Sequence, residues 1–327
     1  MATGSHPLVI AIGQTWPDLA IEEQVLGPRG VRIIDGRSLS ADDPVWAEAA
    51  GILLGTAHKA EGAFLRRLKN VRGVVRYGIG YDNVDIAVAD ELGLVVAIVR
   101  DYCIDEVAEH AIASALSLAR GLPHWDRNVR AGAWRGKDGP RLRRIANLYL
   151  GVIGFGLIGR VVAAKGAGLF GGVGIYDPWA AVAESDRSLG YEFHTRLETL
   201  LDRADVLTVH VPLTAATSGL IGAAAMQRMK RGSIIVNVSR GGIVDEQALI
   251  AQVSSGHIGA AALDTFEHEP LGGESPLVGV PNILLSPHVA WLSEESAVAL
   301  RQRAAEEMSL ILAGEAPSVP VSAKRIA

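Results

Sequence analysis

The chain has 327 residues, which is enough for about two domains because one hydrophobic core usually serves about 150 residues. Hydrophobic residues make up 49% and charged residues 20%, a composition typical of a globular enzyme that excludes disordered and fibrous proteins. The formal charge of -5 offers no net attraction for phosphate backbones or anionic lipid, so we expect neither nucleic acid nor membrane as a partner.

The cysteine content and the first residues bear on the cellular compartment. Cys103 is the single cysteine, which excludes an internal disulfide and a multi-cysteine metal site, and we expect no bound metal. The first residues lack the basic and long apolar segments of a secretion signal. We therefore expect a cytoplasmic protein.

The N-terminal third alternates between short β-branched runs and stretches with helical spacing of apolar residues. Strands are predicted at residues 8–12, 31–34, 51–54, 74–77 and 94–98. Helical stretches are predicted at residues 44–50 and 60–68. This alternation favours parallel βαβ units. A long helix is predicted next, at residues 104–120, because acidic residues occupy its first turns and a Gly-Leu-Pro sequence follows it.

A second alternating series follows the long helix. Its six strands are predicted at residues 148–153, 172–176, 206–211, 233–238, 260–264 and 283–286. Helices are predicted between them at residues 158–169, 196–203, 223–229 and 245–255. Six strands with intervening helices make a complete doubly wound sheet. A last helix, at residues 294–313, comes after this sheet, so we expect it to cover the N-terminal strands and make the first domain discontinuous.

A glycine-rich turn follows the first strand of the second series. Residues 154–159 read GFGLIG and lie between a predicted strand and a predicted helix, the setting of a dinucleotide-binding turn. Its glycines permit a tight turn, close approach of a pyrophosphate and close packing of helix on strand. Asp177, at the end of the next strand, is placed to accept hydrogen bonds from an adenosine ribose. No Arg or Lys follows directly, so we expect NAD rather than NADP.

Polar side chains follow three later strands of the same series. Arg240 follows the strand at 233–238, Asp264 and Glu269 follow the next, and His288 follows the last. Ligands of an open α/β sheet bind beyond the carboxyl ends of its strands. Hydride transfer between a 2-oxo acid and a 2-hydroxy acid needs these residue types: a cation for the substrate carboxylate, an acid/base that works near neutral pH, and a carboxylate to orient that base.

Seven segments, in chain order, resemble the D-isomer-specific 2-hydroxyacid dehydrogenase family. They are residues 76–85 (RYGIGYDNVD), 105–110 (DEVAEH), 151–159, 209–214 (VHVPLT), 237–245 (NVSRGGIVD), 263–270 (LDTFEHEP) and 286–291 (SPHVAW). The resemblance implies an α/β fold of two Rossmann-like domains with the active site in the cleft between them. A doubly wound NAD domain at residues 101–290 would be inserted into a flavodoxin-like substrate domain made of residues 1–100 and 291–327.

The resemblance also implies roles for individual residues. Arg240 would bind the substrate carboxylate and carbonyl, His288 would be the acid/base and Glu269 its partner. Main-chain N–H groups of Ile79 and Gly80 would hold the substrate carboxylate. The residues implied for the cofactor are Gly154, Phe155, Gly156, Leu157 and Ile158 of the turn, with Asp177, His210, Val211, Pro212, Thr217, Val238, Ser239, Asp264 and Ala290.

A narrower likeness concerns Arg76 and Trp291, which resemble the C-terminal-binding-protein subgroup, whose animal members are NAD-dependent corepressors. The likeness places both side chains in the substrate pocket.

We expect an NADH-dependent D-2-hydroxyacid dehydrogenase, working as a reductase of a small 2-oxo acid and as a homodimer. A NADH-sensing scaffold with little turnover is the alternative. A reductase of a phosphonate or 3-phosphorylated acid is favoured less, since the sequence places no further basic cluster in the cleft.

Overall fold

The structure, a computed structural model, describes residues 6–134 and 139–322. The chain divides into two compact units: one combines the residues up to Cys103 with those from Ser293 onward, and the other runs from Ile104 to Leu292. The two ends of the expected first domain, residues 1–5 and 323–327, lie outside the described residues. Each unit is built on one parallel sheet, which confirms the predicted α/β fold of two Rossmann-like domains.

The first unit contains a five-stranded sheet. Its strands are β1 (Leu8–Ile12), β2 (Arg32–Asp35), β3 (Ala49–Leu54), β4 (Gly73–Arg76) and β5 (Val95–Ile98). They are all parallel, in the order β2-β1-β3-β4-β5, which is the flavodoxin-like order. Helices in this part of the chain are α1 (Ala20–Leu26), α2 (Gly62–Leu65) and α3 (Ile86–Leu92). All five predicted strands are present, whereas α1 and α3 were not predicted.

Two predicted helices of the first unit need correction. Residues 44–50 do not form one helix: Pro44–Ala47 form a 3-10 helix, and the run from Ala49 onward pairs with β1 as strand β3. The stretch at 60–68 is helical only over Gly62–Leu65. In both places the apolar residues satisfied a helical spacing, but pairing with the buried sheet outweighed it for β3, because local propensity yields to tertiary packing.

The second unit contains a seven-stranded parallel sheet. Its strands are β6 (Tyr149–Ile153), β7 (Gly172–Tyr176), β8 (Glu192–Phe193), β9 (Val206–Val209), β10 (Ser233–Asn237), β11 (Ile258–Leu263) and β12 (Ile283–Leu285). The order is β12-β11-β10-β9-β6-β7-β8. The helices are α4 (Ile104–Ala119), α5 (Leu122–Arg130), α6 (Leu157–Ala167), α7 (Glu184–Arg187), α8 (Leu197–Leu201), α9 (Ala223–Arg228) and α10 (Glu246–Ser254).

The order of this second sheet reverses between β6 and β9, and this switch point positions the site. Chain connections leave the two strands in opposite directions there, so a crevice opens beyond their carboxyl ends. All six predicted strands are present, and β8 was missed because it has only two residues. A buried apolar cluster packs against neighbouring strands of this sheet; it includes Leu207 of β9, Ile235 of β10 and Leu263 of β11.

The last helix, α11 (Glu294–Ala313), packs on the first unit. Gly51 and Gly73 leave room for it, since a Cβ at either position would lie within 3 Å of Met308 or Ile311 of the helix. A buried ion pair joins it to α1, where Arg301 donates to Glu22 at 2.7 Å. In the described ranges, no helix combines the length and the apolar content needed to cross a bilayer.

Candidate functional site

The glycine-rich turn joins β6 to α6, and its three glycines have distinct surroundings. Gly154 has a φ of +94°, and a Cβ there would lie 2.4 Å from the His210 carbonyl oxygen. A Cβ at Gly159 would lie 2.0 Å from the Gly154 carbonyl oxygen. At Gly156, by contrast, a Cβ would meet no atom within 4 Å. The first and third glycines are therefore required by packing, whereas the second borders open space.

That open space lies at the N-terminus of α6, a helix of 11 residues. The first N–H groups of a helix have no partner within it and carry a partial positive charge, which suits a phosphate. Leu157 is exposed and Ile158 half-buried, so main-chain groups rather than side-chain donors face this space. The turn fits the pyrophosphate of a dinucleotide.

Asp177, at the end of β7, is joined to the turn. Its Oδ2 accepts the Phe155 N–H at 2.8 Å, and its Oδ1 accepts the N–H groups of Trp179 at 2.9 Å and Ala180 at 3.1 Å. Three of the roughly four acceptor positions of the carboxylate are therefore used within the protein. About one acceptor position of Asp177 therefore remains for a further donor.

A cation that the sequence analysis missed lies near this turn. Arg160, one residue past the last glycine, lies over the Phe155 ring at 4.2 Å and donates to Asp186 Oδ1 at 2.5 Å. It also donates to the Ala181 carbonyl oxygen at 2.9 Å. Its position on α6, about one helical turn after Gly156, was the sequence feature that could have indicated a place near the turn. Its guanidinium is thus paired with the carboxylate of Asp186.

The predicted adenosine-side residues follow β9. Burial lowers the pKa of His210 to about 3, so its ring is neutral at physiological pH, with Nε2 2.8 Å from Thr208 Oγ1. Thr217 donates to the Pro212 carbonyl oxygen at 2.6 Å and so shapes the loop. A mainly apolar cavity of about 70 Å³ lies beside it, lined by Ile153, Tyr176, Pro178, Trp179, Val211, Ala216, Thr217 and Leu220. An adenine ring is the part of a dinucleotide that suits such walls.

The residues that follow β10 form a tight turn. Asn237 is buried, donates from Nδ2 to the Arg240 carbonyl oxygen at 2.8 Å and accepts the Ser239 N–H at 3.1 Å. Ser239 Oγ donates to the Val209 carbonyl oxygen at 2.7 Å, which joins this turn to β9. Val238 is buried, so its main chain rather than its side chain borders the edge. Asn237 thereby fixes the main chain that carries the Arg240 guanidinium.

His288 and Glu269 form a hydrogen-bonded pair beyond β11 and β12. His288 Nδ1 lies 2.7 Å from Glu269 Oε2, and Glu269 Oε1 accepts the Phe266 N–H at 3.0 Å. Burial raises the pKa of Glu269, but the hydrogen bond and charge of His288, the Phe266 N–H and the nearby Arg240 together lower it, so the net pKa lies below the ordinary value. An ionised Glu269 requires the proton on Nδ1, which leaves Nε2 as the working nitrogen.

The backbone around His288 is held in an unusual conformation by Asp264. His288 has a φ of 55°, the one positive φ at a non-glycine residue in the described ranges. Its N–H donates to the Asp264 carbonyl oxygen at 2.8 Å, and its carbonyl oxygen accepts Trp291 Nε1–H at 3.0 Å. The Asp264 carboxylate accepts the N–H groups of Val289 and Ala290. Strained backbone of this kind persists where the surroundings over-determine it, and it clusters at functional sites.

The remaining predicted residues belong to the first unit. Arg76 ends β4, is buried and donates from Nη1 to the Tyr77 carbonyl oxygen at 2.6 Å. Ile79 and Gly80 follow in an irregular, half-buried segment. In the described part of the chain, neither of their N–H groups donates a backbone hydrogen bond. Successive N–H groups of this kind suit a small carboxylate.

In the described ranges, no cluster of three or more His, Cys, Asp and Glu side chains is placed to hold a metal ion.

The second unit brings the predicted cation, carboxylates and imidazole to one edge, because β10, β11 and β12 are neighbours in its sheet. Sequence reasoning gave no role to Asn237, His110 or Ser286, although all three lie in the segments that resemble the family. Their position in those segments was the available signal.

A family model and curated relatives that match this chain agree on one family. Residues 112–290 match the family described as D-isomer specific 2-hydroxyacid dehydrogenase, NAD binding domain. A D-3-phosphoglycerate dehydrogenase of Archaeoglobus fulgidus is 38% identical over 79% of this chain and 48% of its own length. The chain thus spans about half the length of that relative. A glyoxylate reductase of Korarchaeum cryptofilum is 36% identical over 76% of this chain and 75% of its own length.

A solved structure agrees with these sequence matches. The NADPH-dependent glyoxylate/hydroxypyruvate reductase of Sinorhizobium meliloti, in complex with citrate, superposes with a TM-score of 0.83. It is 27% identical, and the match covers 97% of this chain and 98% of that one. The likeness therefore extends over both units of the chain.

Proposed function

Since the chain belongs to the D-isomer specific 2-hydroxyacid dehydrogenase family, we propose that it reduces a small 2-oxo acid to the D-2-hydroxy acid with NADH. The observation that carries the proposal is the pair of His288 and Glu269, 2.7 Å apart at the sheet edge that also presents Arg240. A carboxylate aligned on the imidazole suits a ring that must carry a positive charge before it donates its proton. The glycine-rich turn of the same unit fits the cofactor.

The proposed chemistry divides among few groups. When bound, NADH supplies a hydride to the carbonyl carbon of the substrate. Arg240 binds the substrate carboxylate and polarises the carbonyl oxygen. Protonated His288 donates from Nε2 to that oxygen as it becomes an alkoxide, and Glu269 stabilises the ring while it is charged. The product is the alcohol, and the neutral ring regains a proton from water.

The first unit is proposed as the substrate domain and the second as the NAD domain. The N–H groups of Ile79 and Gly80, which donate no backbone hydrogen bond within the described ranges, support a carboxylate at that loop, with Arg76 as a second cation. In the second unit, the family likeness assigns Asp264 to the nicotinamide carboxamide, and its carboxylate accepts three protein hydrogen bonds and has about one acceptor position left. The family likeness further favours a cytoplasmic homodimer.

One experiment tests the activity. Oxidation of NADH is measured with glyoxylate, hydroxypyruvate, pyruvate, phosphohydroxypyruvate and larger 2-oxo acids, and NADH affinity is measured in parallel. We expect turnover with at least one unbranched 2-oxo acid. The phosphorylated acid is included because the relative from Archaeoglobus fulgidus is a D-3-phosphoglycerate dehydrogenase. Tight NADH binding with no turnover across the series would contradict the proposal and favour a NADH-sensing scaffold.

Asp177→Asn is expected to shift cofactor preference towards NADPH. The single amide oxygen can still accept either the Phe155 N–H or the N–H groups of Trp179 and Ala180, while the charge that repels a 2'-phosphate is removed. The ratio of kcat/KM with NADH to kcat/KM with NADPH should fall about tenfold, which corresponds to about 1.4 kcal/mol of relieved repulsion. Asp126→Asn, a surface change on α5, is the matched control. An unchanged ratio would remove Asp177 from the proposal.

Glu269→Gln is expected to lower kcat/KM for the oxo acid about tenfold at neutral pH, which corresponds to about 1.4 kcal/mol. Because the pKa of Glu269 lies below its ordinary value, its carboxylate is ionised across the neutral range and stands beside the imidazole that donates the proton. The amide removes this charge. As pH falls through the lowered pKa of Glu269 the wild type loses the charge as well, so the difference between the two proteins should shrink at acidic pH. Profiles of kcat/KM against pH for both proteins measure the difference, and identical profiles would exclude an electrostatic role for Glu269.

A further inference from the structure

His110, on helix α4, is joined to the proposed acid/base loop by two consecutive hydrogen bonds. Its Nε2 lies 3.0 Å from Ser286 Oγ, and Ser286 Oγ donates to Asp264 Oδ1 at 2.6 Å. The same Nε2 lies 3.9 Å from Asp264 Oδ1. The proposed reaction gives His110 no role, although it ends one of the segments that resemble the family.

The direction of these bonds follows from proton counting. Both carboxylate oxygens of Asp264 accept main-chain N–H groups, Oδ1 from Val289 and Oδ2 from Ala290, so the carboxylate acts as an acceptor on both sides. The one hydroxyl proton of Ser286 is therefore directed at Asp264, and the Ser286 oxygen accepts from His110. His110 must carry a proton on Nε2 for the relay to be complete. The relay thus has a single direction, from helix α4 to the buried carboxylate.

The carboxylate at the end of this relay fixes the backbone on both sides of Val289. Oδ1 accepts the Val289 N–H at 3.0 Å and Oδ2 accepts the Ala290 N–H at 2.8 Å. The Asp264 main-chain carbonyl oxygen accepts the N–H of His288, the residue whose φ is 55°. Rotation of the carboxylate would release both N–H groups together, and these belong to the two residues that directly follow the strained His288.

We propose that His110 is a positioning residue, which acts through Ser286 and Asp264 to hold the loop that carries His288 in its working conformation. This inference rests on the proposed function, because the loop matters only if His288 transfers a proton. His110 touches neither the substrate nor His288 in this role. Helix α4 thereby contributes to the site through one hydrogen bond.

The test compares His110→Leu, Ser286→Ala and His110→Gln. Leucine removes the donor at similar size, whereas the glutamine amide can place an N–H at the position of Nε2. His110→Leu and Ser286→Ala should lower kcat about three- to tenfold, the effect of one lost hydrogen bond, with the KM for the oxo acid unchanged. His110→Gln should restore kcat. The double variant should be no worse than the poorer single variant, since both changes break the same relay.

A second readout does not depend on turnover. Amide hydrogen exchange of residues 286–291, measured by mass spectrometry, should accelerate in His110→Leu and Ser286→Ala and return to the wild-type rate in His110→Gln. His257→Leu is the matched control, because it also loses a histidine hydrogen bond, to the Met226 carbonyl oxygen, elsewhere in the second unit. That control should leave both kcat and the exchange of this segment unchanged.

The outcomes separate this inference from the proposed function. Unchanged exchange in His110→Leu overturns the relay, and faster exchange with unchanged kcat overturns its role in positioning. Additive losses in the double variant also overturn it. A wild-type protein that turns over no 2-oxo acid refutes the proposed function, and the exchange measurement then still decides whether His110 orders the loop.

Discussion

His288→Ala is expected to slow the reduction of the oxo acid, with kcat lowered by about a thousandfold, while the affinity for NADH stays at the wild-type level. The variant loses the proton that Nε2 would give to the forming alkoxide, and a methyl group cannot replace it. The groups proposed for the cofactor lie mainly after β6, β7 and β9, away from this side chain. Steady-state oxidation of NADH measures kcat, and quenching of protein fluorescence by NADH measures affinity.

His124→Ala is the matched control for this prediction. His124 lies on α5 of the same unit, and its Nε2 hydrogen bonds with Asn128, four residues on, which is unrelated to the sheet edge. It should retain full turnover. Near-normal turnover in His288→Ala would exclude this residue as the acid/base, whatever the substrate. Loss of NADH affinity together with kcat would instead indicate a structural role for the ring.

The sequence predicted the strands and the polar groups at their ends well, for a physical reason. Buried parallel strands are short β-branched runs, and the carboxyl ends of neighbouring strands meet at one edge. Arg240, Asp264 and His288 therefore came together once the order β12-β11-β10 was established. The last helix was also predicted at its observed bounds, and in the structure Ser293 caps its start and Gly314 its end.

Contacts between distant parts of the chain could not be predicted. His110 and Ser286 are 176 residues apart in sequence, and no local pattern indicates that they share a hydrogen bond. The approach of Arg160 to Asp186 depends likewise on how the loop after β7 folds back. Short elements such as α7 and β8 hold too few residues to show a period. What was missed is therefore chiefly the hydrogen bonding that supports the candidate site.

Gly156→Val is expected to raise the dissociation constant for NADH at least about a hundredfold, which corresponds to about 2.7 kcal/mol, without a comparable loss of stability. A Cβ at this position meets no protein atom within 4 Å, and the residue has an extended conformation, with φ -78° and ψ -160°, that valine tolerates. The added side chain would occupy the space assigned to the pyrophosphate and cover the first N–H groups of α6. The midpoint of thermal unfolding, measured without cofactor, should stay near the wild-type value.

Two companion variants show whether the effect is specific to the site. Gly222→Val also changes a glycine that caps a helix in extended conformation, and its Cβ would meet only the Gly219 carbonyl oxygen, at 3.3 Å. It should bind NADH normally. Gly154→Ala should instead lower the unfolding midpoint, because φ is +94° and the new Cβ would lie 2.4 Å from the His210 carbonyl oxygen. If Gly156→Val binds NADH as tightly as the wild type, the pyrophosphate does not lie at this turn, because the valine side chain would occupy the open space beside Gly156.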